Sequence, residues 1–406
     1  MYGAGNIGRG FIGQLFSESG YETVFIDVNP VFIEALNTEH KYPVKIISDE
    51  GYKEITIENV RGVNGTDIDA VADEIATADI MATAVGANIL KFIAKPVARG
   101  FEKRWQNGNE TPLNIIICEN LLDANHHLAR LVKENLPENL HGKFDQKVGL
   151  VEASIGRMVP VMTPEMAEGN PLRVCVEEYC ELPVDEAAFK GDMPYLKNMI
   201  PFAPFDFYIR RKLFMHNMSH ALTAYLGYMN NCSYIWEACE KPLIKLLALR
   251  ALQESATALS EEYGVPLKKL IGFSEDLIYR FGNRLLGDTV ERVGKDPIRK
   301  LSEFDRLIGA ANLCVKKGIA PVYVALGLAA GYLYNNPNDA AAMEVQEYIK
   351  QNGIEEAIIK YSNIQKSSSV FAYIIRFYNM FKAGESLEKV AALAEKLKNV
   401  AYREEK

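Results

Sequence analysis

The chain has 406 residues, 48% of them hydrophobic and 24% charged, which excludes global disorder and supplies core for two domains or one enlarged one. Lysine and arginine number 45 against 53 aspartates and glutamates, a net charge of −8, so no broad positive footprint argues for nucleic acid or an anionic membrane surface. Six scattered cysteines form neither a disulfide framework nor a C-x-x-C zinc pair, no basic-then-apolar leader opens the sequence, and no apolar run approaches about 18 residues, so a reducing cytoplasm is the expectation.

Gly3-Ala4-Gly5-Asn6-Ile7-Gly8 makes a G-x-G-x-x-G turn, and Arg9 to Ser19 continues with helical spacing as far as Gly20. Tyr21 to Ile26 reads as a strand closing on Asp27, about 20 residues beyond the glycines, where a carboxylate meets the ribose of a dinucleotide. Turn, helix, strand and acid in that order predict a dinucleotide site at Gly3, Ala4, Gly5, Asn6, Ile7, Gly8 and Asp27; the plainer alternative is a tight surface turn. An acid at this position accepts from an adenosine 2′-hydroxyl and repels a 2′-phosphate, which favours NAD over NADP. The fingerprint needs a strand in front of it, and Met1 and Tyr2 are too few to form one. A start further upstream is the expectation, with a sheet lacking one inner strand as the alternative.

Ile80 to Gly86 is a buried strand ending in a loop at Val85, followed by a helix from Ala87 to Arg104. Leu113 to Cys118 is another apolar strand of the parallel-sheet kind. It ends at Glu119-Asn120, and Leu121 to Leu136 is helical. Lys147 to Ser154 and Leu172 to Glu178 alternate enough to extend the same sheet. Helical periodicity then dominates from Phe207 onward, interrupted at Pro266, Pro297 and Pro337, and the last helix, Leu387 to Tyr402, has an apolar face to dock. The expected architecture is an α/β Rossmann-type nucleotide-binding domain over residues 1–190 and a mostly α-helical substrate and catalytic domain over 191–406.

Ligands of open α/β sheets bind beyond the carboxyl ends of the strands, which selects the loops at Ala84-Val85-Gly86 and Glu119-Asn120. Val85 is expected against the cofactor. Asn120 either hydrogen-bonds a substrate or cofactor atom or only caps the next helix. The helical half carries one dense polar cluster on an otherwise apolar helix, from Lys212 through His216, Asn217 and His220 to Tyr225. At about 100° per residue, Lys212, Asn217 and His220 lie near 0°, 140° and 80°, with His216 near 40° as a competitor. Such a face either meets solvent or lines a polar pocket.

Several stretches together resemble the polyol-specific long-chain dehydrogenases and reductases, the mannitol dehydrogenase family. They are YGAGNIGRGFIG at 2–13, TAVG at 83–86, NETPLNIIICEN at 109–120, RKLFMHNMSHALTAYLG at 211–227 and ERVGKDPIRKLSEFDRLIG at 291–309. The resemblance spans both halves in order. It implies NAD-dependent oxidation of a sugar alcohol without a metal. The family pattern K-x(4)-N-x(2)-H falls on Lys212, Asn217 and His220. By that resemblance the lysine is the general base, Asn217 and Asn120 hold the reacting oxygen, and His220 binds or orients that oxygen or a neighbouring hydroxyl. A lysine with an ordinary pKa of about 10.4 needs burial or nearby positive charge for such work.

The resemblance further implies reversible oxidation of D-mannitol 1-phosphate to D-fructose 6-phosphate, a small sugar-alcohol phosphate being the partner. The alternatives are a hexuronate (fructuronate or tagaturonate) reductase, a free-polyol dehydrogenase, and a catalytically weak NAD-binding relative. A phosphate needs an anion site, and Arg292, Lys295, Arg299 and Lys300 crowd one stretch, with Arg299 or Lys300 preferred; a solvated basic run balanced by Glu291, Asp296 and Glu303 is the plainer reading. The sequence departs from the family at Gly156, where V-D-R-[MI]-V-P usually carries aspartate, and Glu152 is a candidate to compensate. Monomer and homodimer both remain open.

Overall fold

Short apolar runs in the first half of the chain form ten strands among the described residues: β1 Thr23–Asp27, β2 Lys41–Ser48, β3 Gly51–Glu58, β4 Val60–Asn64, β5 Met81–Thr83, β6 Leu113–Ile117, β7 Val148–Glu152, β8 Val174–Glu177, β9 Leu182–Asp185 and β10 Met199–Phe202. The computed structural model describes residues 1–48 and 50–404. Two compact units divide the chain, Met1–Tyr208 and Ile209–Lys406. The expected boundary near 190 falls between β9 and β10, which pair with each other in parallel inside the first unit.

β4 and β1 pair in parallel, as do β5 with β6 and β6 with β7. Tyr2 joins the two sets. It bridges Ile26 on one side and Thr83 on the other; its N–H donates to Ala82 O at 2.8 Å, and its carbonyl accepts from Ala84 N at 2.9 Å. The order β4-β1-Tyr2-β5-β6-β7 is that of a dinucleotide-binding sheet. The strand that the fingerprint requires is therefore present as a single ladder residue among the described ones.

Period-two alternation sends successive strand residues to opposite faces. Phe25, Ala82, Ile116 and Val151 meet Phe11, Ile12 and Leu15 of the fingerprint helix on one side. On the other, Ile26, Met81, Ile115, Ile117 and Val148 meet Val71 and Ile75 of the helix Ile68–Thr77, and Ile93, Val97 and Phe101 of the helix Leu90–Gln106. Burial on both faces explains why these strands read as continuous apolar runs.

One expectation is corrected. The segment 172–178 does form a strand, but β8 does not extend this sheet; it pairs in parallel with β2, which is hairpinned to β3. The cause is local packing: a Cβ at Gly10 of the fingerprint helix would lie 2.7 Å from Val176 and 3.0 Å from Val174, so β8 is seated on that helix and not beside β7.

The second unit is helical. The helices Met218–Met229, Pro242–Tyr263 and Val322–Tyr332 form its interior, and Val322–Tyr332 is buried along its whole length. Pro266 precedes a helix, Pro297 stands in the first turn of another, and Pro337 lies in a loop. No helix among the described residues is long and apolar enough to cross a membrane.

Candidate functional site

The three fingerprint glycines do different things. Gly3 has φ +98°, and a Cβ on it would stand 2.6 Å from Ala84 O, so the turn needs glycine to lie against the end of β5. A Cβ on Gly8 would stand 2.0 Å from Gly3 O, whereas nothing lies within 4 Å of one on Gly5. The first and third glycines therefore close the turn, and the second leaves its backbone open to an approaching group, the arrangement that receives a pyrophosphate. Asn6 and Ile7 open the helix behind it, which widens into a π-turn at Gly8–Gly13.

Asp27 ends β1 facing this turn. One carboxylate oxygen accepts from Ala4 N at 2.6 Å and the other from Asn29 N at 2.9 Å. The acid is thus fixed beside the fingerprint by two backbone donors, with lone pairs remaining for a ribose hydroxyl. Val85 lies in the loop after β5. Its N–H and that of Gly86 donate to the carboxylate of Glu119 at 3.0 and 2.7 Å. Glu119 is buried, and sequence reasoning missed its role although it singled out the dipeptide. Asn120, next to it at the end of β6, is exposed. All of these residues share the carboxyl edge of the sheet in the first unit.

Lys212, Asn217 and His220 belong to the second unit. The chain from Lys212 to Asn217 is a π-turn, not an α-helix, and π-turns concentrate at functional sites. Their consequence is angular. At roughly 80–90° per residue over the π-turn, Asn217 moves from about 140° to roughly 65° from Lys212. Three α-helical residues later, His220 returns to nearly the same azimuth as Lys212. The three side chains line up more tightly than regular periodicity allows.

Burial lowers the Lys212 pKa to about 8, helped by the positive charge of Arg306. Burial also lowers that of His220 to about 3, with Arg292, Arg306, Arg280 and Lys300 adding to the effect, and it pushes His216 well below the ordinary range. Both imidazoles are uncharged at neutral pH and act as hydrogen-bonding groups. The ring of His220 stacks on Phe281, with centroids 4.6 Å apart and planes 12° apart. Its Nε2 lies 3.3 Å from Asp288 Oδ2, too poorly aligned for a hydrogen bond.

The basic stretch splits by environment. Arg299 is half exposed, and its guanidinium donates to Asp296 at 3.0 Å and to Asp305 at 3.2 Å. The carboxylate of Asp296 also caps the four-residue helix Pro297–Lys300, so that helix end is already answered. Lys300 is buried, and desolvation with the neighbouring Arg306 and Arg299 lowers its pKa to about 7. Gly156 adjoins Tyr179, whose Cε1 would stand 3.2 Å from a Cβ at that position. The carboxylate of Glu152 accepts from Ala124 N at 3.0 Å, at the start of the helix Ala124–Lys133, and burial raises its pKa. Among the described residues no three His, Cys, Asp or Glu side chains are grouped to hold a metal ion.

A Rossmann-type unit with an open fingerprint and a helical unit with a partly buried lysine of lowered pKa are the two parts of a dehydrogenase architecture. The chain belongs to the mannitol dehydrogenase family. Residues 1–198 match the family's Rossmann domain, and residues 205–401 match its C-terminal domain. A mannitol-1-phosphate 5-dehydrogenase of Brevibacillus brevis is 38% identical over 357 residues, 88% of this chain and 91% of the relative. One from Thermoanaerobacter pseudethanolicus is 36% identical over 381 residues, 94% and 97% of the two chains. Two solved structures share the fold: mannitol 2-dehydrogenase of Pseudomonas fluorescens in a ternary complex with NAD and D-mannitol (TM-score 0.72, 15% identity), and a substrate-free D-sorbitol dehydrogenase (TM-score 0.80, 13% identity). Each match covers 97% of this chain and 93% of the other.

Proposed function

We propose that this chain is a cytoplasmic, NAD-dependent polyol-phosphate dehydrogenase that interconverts D-mannitol 1-phosphate and D-fructose 6-phosphate, with Lys212 as the general base. The observation that carries this reading is the partly buried Lys212, with a pKa lowered to about 8, on a π-turn that aligns it with Asn217 and His220. The names of the two relatives support the substrate.

The fingerprint fits a dinucleotide: the backbone at Gly5 is open, the turn is closed at Gly3 and Gly8, and Asp27 faces Ala4. Gly3, Ala4, Gly5, Asn6, Ile7 and Gly8 would hold the pyrophosphate, Asp27 the ribose, and Val85 the side facing the sheet. When bound, NAD supplies the hydride acceptor. The protein's own part is proton transfer and orientation. Oxidation of a secondary alcohol releases the hydroxyl proton, and Lys212 Nζ accepts it; in the reverse direction the ammonium returns it to the carbonyl oxygen. Asn217 and Asn120 donate amide hydrogens to that oxygen as it gains charge, and uncharged His220 orients it or a neighbouring hydroxyl. No step requires a metal.

For the phosphoryl group, Lys300 is the better of the two expected residues, because Arg299 is engaged by two carboxylates, while Lys300 is a buried amine with a pKa of about 7 that a bound phosphoryl anion would hold protonated.

NADH consumption by the purified protein tests the reading, with fructose 6-phosphate beside fructose and fructuronate. Turnover concentrated on fructose 6-phosphate is expected. Preference for fructuronate or free fructose would move the substrate within the family. NADH binding without turnover of any of them would end the enzymatic reading.

A further inference from the structure

Arg306 opens the helix Arg306–Lys316, which packs across the π-turn of Lys212. The approach is set by Gly309: a Cβ there would lie 2.4 Å from Cε1 and 2.8 Å from Cζ of Phe214, so any larger residue would force the helix outward. Arg306 stands three residues earlier and shares that face of the helix. Its side chain is only 13% exposed. Nε donates to Asp305 Oδ1 at 2.6 Å, and its backbone N–H donates to the same oxygen at 2.6 Å. The other oxygen of Asp305 accepts from Arg299 at 3.2 Å. One carboxylate is thus divided between two guanidinium groups, and the positive charge of Arg306 is incompletely offset.

That charge reaches Lys212, His216, His220 and Lys300, which lie on three different elements. Charged groups on the neighbouring elements stand in ion pairs of their own. Asp288 is paired with Arg292, Arg280 with Asp276, and Asp296 with Arg299. Glu254, on the helix Pro242–Tyr263 behind the π-turn, is paired with Lys398. His216 and His220, on the lysine's own helix, are uncharged at neutral pH.

We propose that Arg306 is a positioning residue acting through Lys212: clamped by Asp305 and brought close by Gly309, it adds to the effect of burial a fixed positive charge that disfavours a proton on the amine before substrate enters. The inference rests on the reading of Lys212 as the base. It assigns to the protein the charge that a lysine base requires, so the amine is prepared in the protein without bound NAD.

The test is a titration read by NMR on the intact protein without NAD, its lysines reductively methylated with ¹³C-formaldehyde, with the Lys212 signal identified by its loss in Lys212→Arg. Arg306→Gln removes the charge, Arg306→Lys keeps it, and Asp305→Asn removes the counter-charge while retaining a helix-capping side chain. The midpoint of Lys212 should rise by about one pH unit in Arg306→Gln, lowering the neutral fraction at pH 7 about tenfold. It should hold in Arg306→Lys and fall in Asp305→Asn. A midpoint unmoved by Arg306→Gln, or displaced in the same direction by Asp305→Asn, overturns the proposal; if Arg306→Gln does not fold, the sign in Asp305→Asn decides. Lys212→Ala separates the two ideas: full turnover in that variant would end the base reading, whatever the titration of Lys212 gives.

Discussion

At the scale of single residues, the proposed chemistry turns on the protonation of one amine. Lys212 accepts a proton only when neutral, and its pKa is lowered to about 8. Oxidation of mannitol 1-phosphate should therefore accelerate as pH rises through about 8 and level off above it, standing about tenfold below the plateau at pH 7. Reduction of fructose 6-phosphate needs the ammonium and should decline over the same interval. Initial rates in both directions from pH 6 to 10 check this; parallel profiles in the two directions would exclude Lys212 as the titrating group. Asp27 makes a separate prediction. Asp27→Asn keeps an acceptor for Ala4 N but removes the charge, so affinity for NAD should drop about tenfold and the margin over NADP should narrow. Calorimetry with both nucleotides measures it, and an unchanged NAD affinity would remove Asp27 from the ribose site.

At the scale of elements, what could be read from the sequence depended on whether its signal was local. The fingerprint, β1 ending at Asp27, and β6 with Glu119 just beyond its end were all legible, because turn residues and apolar runs report their own conformation. The partner of β8 was not, since a short apolar strand carries no label for the sheet it joins; contact with Gly10 decided it. Nor was the π-turn, because regular periodicity is assumed in placing residues around a helix. The motif singled out Lys212, Asn217 and His220 as candidates, while nothing singled out Arg306 and Asp288. These lie more than 60 residues further on and reach the site only through helix packing. Removing Met215 should convert the π-turn to regular α-helix, where seven residues at about 100° leave His220 within roughly 25° of its present azimuth about Lys212. The expected result is retained helical content by circular dichroism with turnover within about tenfold of the parent. A loss of a hundredfold or more would show that the π-turn itself is required, beyond the azimuth it sets.

At the scale of the whole molecule, the chain is two units of nearly equal length, and the two-part organisation followed from the change of texture after Pro204. The interior of the first unit is less even than its strand list suggests. Five backbone hydrogen bonds from residues 1–4 and their neighbours splice β1 to β5: Met1 N to Val24 O, Ile26 N to Met1 O, Gly3 N to Ile26 O, Tyr2 N to Ala82 O and Ala84 N to Tyr2 O. Only the last two reach the β5 side. Below them lies a cavity of about 190 Å³, lined by Tyr21, Thr23, Val24, Ala78, Ile80 and Met81 among others. Thr23 Oγ1 is buried without a partner. Both bonds to the β5 side run through Tyr2, whose neighbour Gly3 lies against Ala84, so the fingerprint turn and the loop that carries Val85 are tied at one residue and open together. In native-state hydrogen exchange the amides of Tyr2 and Ala84 should show the same opening free energy; unequal protection would mean that the turn and the loop are secured separately.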